Sequence, residues 1–136
     1  MEITYYQTLH GIRDVLAPLV ADGAIAVPPM EPPGESTVIE IYPAGTLRRL
    51  ETVDEQYKDS AHDARGRRDA ILTRLESDTV GGIAVTMDEA VRETALSESG
   101  GDALDSIIAA LAAARAADRG FEPDHGYDER EGCIFV

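Results

Sequence analysis

Three carboxylates occupy positions suited to metal-assisted chemistry. Glu40 lies within the β-branched run VIEIYP, where strand alternation puts it on the same side as Val38 and Tyr42 and opposite Ile39 and Ile41. A carboxylate in so apolar a strand has two explanations: an edge strand with one solvated face, or a metal ligand held rigidly by a sheet. Asp102 and Asp105 stand three residues apart at the start of an Ala-rich stretch, so on a helix their side chains point toward a common site. Acidic residues at the N-cap and N3 also stabilise a helix terminus through its free amides and its dipole. The two roles are compatible, since one aspartate can cap while the other binds metal.

The basic residues are fewer. Lys58 and His62 precede Arg65, Arg67 and Arg68, the one basic cluster in the chain. Lys58, Arg65 and Arg68 are the candidates for holding a phosphate. The competing explanation is a solvated helix face, because Asp63 and Asp69 interleave with the arginines. His10 and His125 have no partners at the spacing a zinc site needs. The sequence contains no phosphate-cradling glycine loop, no Ser or Cys nucleophile motif and no paired cysteines. Hydride transfer, kinase chemistry and thiol catalysis are thus unsupported, which leaves carboxylate-metal chemistry.

The elements that must position these residues follow from apolar spacing and from breakers. Between Gln7 and Ala21, the residues Leu9, Ile12, Val15, Leu16, Leu19 and Val20 recur at three- and four-residue steps, which predicts a one-sided helix stopped by Gly23. Ala24 to Val27 reads as a short strand before a rigid loop containing Pro28, Pro29, Pro32, Pro33 and Gly34. Thr37 to Tyr42 is the best strand, closed by Pro43. Helices are expected at Ala44 to Leu50, at Asp63 to Leu75 with Ala64, Ile71, Leu72 and Leu75 inward, and at Met87 to Leu96. The clearest helix begins at Asp102 and ends at Gly120. Phe121 to Gly132 reads as an acidic loop, and Cys133 to Val136 as a terminal strand or docking tail. The spacing leaves Gly81 to Val85 ambiguous.

Composition bounds what this arrangement can do. The 136 residues are one domain's length, 43% hydrophobic but only 5% aromatic, so the core must be built from Ala, Val, Ile and Leu. No apolar run approaches the roughly 20 residues of a membrane span, and the N-terminus lacks the order of a secretory signal. With one cysteine, Cys133, no internal disulfide forms, and a reducing, cytoplasmic setting is expected. Cys133 has no basic neighbour favouring the thiolate and reads as a small buried apolar residue. The net charge is -14, and of the 12 basic residues only Lys58 is a lysine. Carboxylate in such excess suits a protein that stays soluble where salt screens repulsion, as in halophiles. It opposes nonspecific nucleic-acid binding, so any such role needs local neutralisation by a divalent metal or an arginine cluster.

Taken in order, YYQTLHGIRDVLAPLV, VIEIYPAGTLRRL, YKDSAHDARGRRDAIL, GGDALDSIIAALAAAR and EGCIFV resemble the domain of unknown function 429 (DUF429) family. The most specific pieces are the EIYPA strand end, the DALD helix start and the closing EG tail. That family is similar to RNase H-like nucleases, whose fold gathers acidic residues from a first strand, a later strand and a C-terminal helix. The resemblance implies that Glu40 is the strand carboxylate and that Asp105, with Asp102, supplies the helix carboxylates. It implies Mg²⁺ or Mn²⁺ as cofactor and phosphodiester hydrolysis as chemistry, with nucleic acid approached through the metal.

The family pattern opens with a Gly- and Asp-containing strand and two further strands, and nothing like them stands before Met1-Glu2-Ile3. The expected fold is therefore α/β: a single domain over 1–136, forming the C-terminal part of an RNase H-like fold, with a few-stranded sheet, several flanking helices and the first strands absent. Its carboxylate site would be incomplete. The strand bearing Glu40 would lose backbone partners, so a homodimer, a separate N-terminal half or a rearranged sheet is expected to cover that edge. The alternative reading is a non-catalytic interaction or structural module derived from the same fold.

Overall fold

The computed structural model describes residues 2–58, 62–77, 82–123, 126 and 132–136. It mixes helices with a two-stranded parallel sheet, as the α/β expectation requires. Its contacts divide into two compact units, Met1–Ile39 with Gly120–Cys133, and Glu40–Arg119 with Ile134–Val136. Among the described residues, no helix is long and apolar enough to cross a membrane.

The first unit opens with a helical run: α1 (Glu2–His10), a π-helical segment (Gly11–Leu16) and α2 (Ala17–Ala21). Pro18 accounts for the widened turn. It has no N–H to offer Asp14 and its ring crowds that carbonyl, so the helix loosens just before it, and the Ala17 N–H reaches back to the Ile12 carbonyl. The run ends where the periodicity expects. Gly23 is left-handed at φ 68°, its N–H bonds the Val20 carbonyl at 2.9 Å, and the Ala24 N–H bonds Leu19 at 2.9 Å, a Schellman closure.

The expected strand at Ala24 to Val27 is reduced to one parallel bridge, Ala26 to Thr37, in which the Ala26 N–H bonds Ser36 and the Val38 N–H bonds Ala26. Pro28 and Pro29 follow at once, and neither has the N–H a longer ladder needs.

In the second unit, β1 (Glu40–Ile41) pairs in parallel with β2 (Ile134–Phe135), Glu40 opposite Ile134 and Ile41 opposite Phe135. β1 is shorter than the expected strand from Thr37 to Tyr42 because its partner is only two residues long. The expected alternation holds: Val38, Glu40 and Tyr42 are exposed, while Ile39 and Ile41 are half-buried. The terminal tail is thus a strand, with Phe135 buried and Cys133 half-buried.

Among the described residues, four helices belong to this unit: α3 (Pro43–Arg49), α4 (Ala64–Ser77), α5 (Glu89–Ser97) and α6 (Asp102–Asp118). Pro43 starts α3, where a missing N–H costs nothing, and Asp88 caps α5 by accepting from the Val91 N–H at 2.8 Å. In α6, Leu104, Ile108, Leu111, Ala112 and Ala116 fall on one buried stripe. Leu104, Ile108 and Leu111 pack with Leu47, Tyr57, Ile71, Leu72, Leu75, Ala95 and Leu96 into a mostly aliphatic core.

Candidate functional site

In the first turn of α6, Asp105 gathers two side-chain donors. One carboxylate oxygen accepts from the Tyr57 hydroxyl at 2.9 Å, and the other accepts from the Lys58 ammonium, forming an ion pair. Both partners come from the segment that precedes α4. The Lys58 ammonium also lies 5.6 Å from the centre of the Tyr57 ring, within cation-π range.

Tyr57 is buried, and loss of solvent raises its phenol far above the ordinary value, with the Asp105 hydrogen bond and charge adding to the effect. The hydroxyl therefore stays a donor throughout the ordinary pH range. It cannot act as a phenolate base.

Two further residues hold this arrangement. Arg68, buried on α4, donates from Nη1 to the Tyr57 carbonyl at 2.7 Å and from Nε to the Leu96 carbonyl at 3.0 Å. It ties the Tyr57 segment to α4 and to the end of α5. Gly101 has φ +80°, and a Cβ there would lie 2.9 Å from Lys58 Cγ. Backbone geometry and the lysine stem both require glycine at this position.

The helix terminus is capped differently from the expectation. The N-cap residue is Gly101, so Asp102 is the first residue inside the helix and does not cap it. Glu98 takes that role. Its carboxylate accepts from the N–H of Gly100 at 2.6 Å, of Asp102 at 2.7 Å and of Ala103 at 3.4 Å. These backbone donors, Gly100 foremost, hold Glu98 below the usual carboxylate range.

Asp102 is exposed at the first position of α6, Asp105 is partly covered one turn on, and Glu40 is exposed on β1. Among the described residues, no three His, Cys, Asp or Glu side chains gather into a group able to hold a metal ion. Both oxygens of Asp105 already accept from protein donors. As placed, these carboxylates do not make a complete centre for Mg²⁺ or Mn²⁺.

The candidate phosphate contacts are also engaged in separate pairings. Lys58 pairs with Asp105, Arg65 donates to both oxygens of Glu93 at 3.0 and 3.1 Å, and Arg68 is occupied by backbone carbonyls. His62 is exposed, and His125 lies outside the described residues. His10 bonds Asp14 at 2.7 Å on the N-terminal helical run.

Sequence reasoning missed Tyr57 and Glu98. For Tyr57 a signal existed: it is the only aromatic residue between Tyr42 and Phe121, and it directly precedes the only lysine. For Glu98 the signal is a glutamate four residues ahead of Asp102 across a glycine pair.

A family model described as a protein of unknown function (DUF429) matches residues 15–127, most of the chain. Comparison with curated proteins and with solved structures finds no match.

Proposed function

The chain belongs to the DUF429 family, and from that membership and the setting of Asp105 we propose an RNase H-like module that contributes carboxylates to a divalent-metal-dependent phosphodiester-hydrolysing centre without completing it. The observation that carries this reading is the Asp105 carboxylate, oriented by Tyr57 in the first turn of a packed helix and neutralised by a lysine. A helix carboxylate in such a centre needs a fixed direction and a nearby positive charge. Lys58 supplies that charge on a flexible stem whose side chain is 42% exposed, so it can yield Asp105 to a metal ion or turn to a phosphate.

Glu40 and Asp102 are the other carboxylates offered, both exposed and therefore open to a ligand brought by another chain. Mg²⁺ or Mn²⁺ held there would polarise a phosphodiester and offset the net charge of -14 that otherwise repels nucleic acid. A further carboxylate brought by another chain, and a cytoplasmic setting, belong to the same proposal. No hydrolytic step follows from this chain alone.

A second reading, a non-catalytic structural or interaction module, is favoured by the engagement of both Asp105 oxygens, which serves packing as well as it serves a site. Calorimetric titration with Mg²⁺ and Mn²⁺ in high salt separates the two. The proposal expects binding to the intact chain, loss of binding in Glu40→Ala and Asp105→Ala, and tighter binding in Lys58→Met, where the competing ammonium is gone. No binding in either the intact chain or Lys58→Met selects the non-catalytic reading.

A further inference from the structure

The two donors on Asp105 differ in whether they can leave it. Tyr57 belongs to the apolar core, only 4% exposed, and the Arg68 guanidinium fixes its backbone carbonyl at 2.7 Å. Its hydroxyl therefore stays on one Asp105 oxygen. Lys58 lies outside that core cluster and holds the other oxygen through an ammonium at the end of a side chain that is 42% accessible. An ammonium is a point charge on a flexible four-carbon stem, so it turns away from a carboxylate without moving the backbone. The second Asp105 oxygen opens when Lys58 departs.

The ion pair closes two binding groups at once, the Asp105 oxygen to a cation and the Lys58 ammonium to an anion. A cation that takes Asp105 releases Lys58, and an anion that takes Lys58 releases Asp105. Whichever ligand arrives first breaks the pair, and the second meets a group already released. Each therefore raises the affinity for the other, and by the same factor. The net charge of -14 attracts cations and repels phosphate, so the cation is the ligand whose arrival makes the ammonium available to a phosphate.

We infer that the Lys58–Asp105 ion pair is a two-sided latch, which couples a divalent cation at Asp105 to a phosphate at Lys58. The inference rests on the proposed reading of Asp105 as a carboxylate of a metal-dependent centre, and it adds how that site is regulated: neither ligand alone is held as well as both together. The strength of a partly exposed ion pair limits the coupling to about fivefold in affinity.

Lys58 is the only lysine in the chain, so lysine-selective ¹³C labelling gives a single Cε signal that reports on the pair by NMR. Asp105→Asn, which keeps an acceptor for the Tyr57 hydroxyl, supplies the signal of a released lysine. Mg²⁺ is expected to move the parent signal to that position. Without metal, Asp105→Asn is expected to bind inorganic phosphate about fivefold more tightly than the parent at the same ionic strength. By calorimetry, with free Mg²⁺ corrected for its complex with phosphate, saturating phosphate is expected to tighten Mg²⁺ binding to the parent about fivefold and to leave Lys58→Met unchanged. Mg²⁺ that binds the parent without moving the Lys58 signal overturns the latch and leaves the proposed function standing. Equal phosphate affinity in the parent and Asp105→Asn also overturns it. Absence of Mg²⁺ binding in both the parent and Lys58→Met overturns the proposed function and the latch with it.

Discussion

Tyr57 and Lys58 hold the same carboxylate, yet they should contribute unequally to stability. The Tyr57 hydroxyl is buried and donates to a charged acceptor, so Tyr57→Phe is expected to cost about 1.5 kcal/mol or more. The Lys58 ion pair is partly exposed, with side chains 42% and 21% accessible, so Lys58→Met, which keeps the stem over Gly101, should cost below about 1 kcal/mol. Urea denaturation of the two variants checks the order, and equal losses would contradict it. Glu98 makes a pH prediction. Its folded carboxylate is held below its unfolded value by backbone N–H donors, so its contribution is present above about pH 4.5 and is lost as pH falls through the lower folded value. Replacing Glu98 with Gln should leave less stability near neutral pH and narrow the gap to the parent chain in acid. A gap that does not change with pH would show that the cap does not depend on charge.

At the scale of elements, helices are the best anticipated part of the chain. The inward set Ala64, Ile71, Leu72 and Leu75 is buried on α4 as the spacing requires, and Arg68 joins it by giving its donors to carbonyls. The α6 stripe is likewise local arithmetic, and Leu104→Ala should cost about 2–5 kcal/mol by opening a cavity in a fully buried position. Strands are anticipated less well. Thr37 to Tyr42 favours a strand over six residues, but a ladder needs a partner, and β2 offers only Ile134 and Phe135. Phe135 is buried behind that pairing, so Phe135→Ala should destabilise by about 3–5 kcal/mol and expose the amides of β1 to hydrogen exchange. Rapid exchange at Tyr42, whose N–H bonds the Phe135 carbonyl at 3.5 Å, in the parent chain would show that the pairing does not persist. The N-terminal helix was expected from Gln7; it begins at Glu2, and its π-helical segment reflects Pro18, whose effect falls on the preceding turn.

For the whole molecule, charge is the dominant property. With a net charge of -14 on 136 residues, screening should raise the melting temperature steadily as KCl rises from about 0.1 M to 2 M, since the screening length shrinks from about 10 Å toward 3 Å and below. A melting temperature indifferent to salt would remove the case for high-salt adaptation. Length alone predicts one domain, and the contacts fall into two units because the N-terminal helix and the proline-rich loop pack mainly with their own neighbours. The family was legible in the order of short blocks, and the helices and their stops in three- and four-residue spacing, because those features are local: each is encoded within a few residues of where it acts. The setting of Asp105 was not. Tyr57 and Lys58 lie 48 and 47 residues away from it, and which donors arrive at a carboxylate depends on the path of the chain between them. The sequence by itself determined the helix that carries Asp105 and the charge around it; only the tertiary structure decided that a buried tyrosine and the single lysine hold that carboxylate, and that Glu98 caps the helix in place of Asp102.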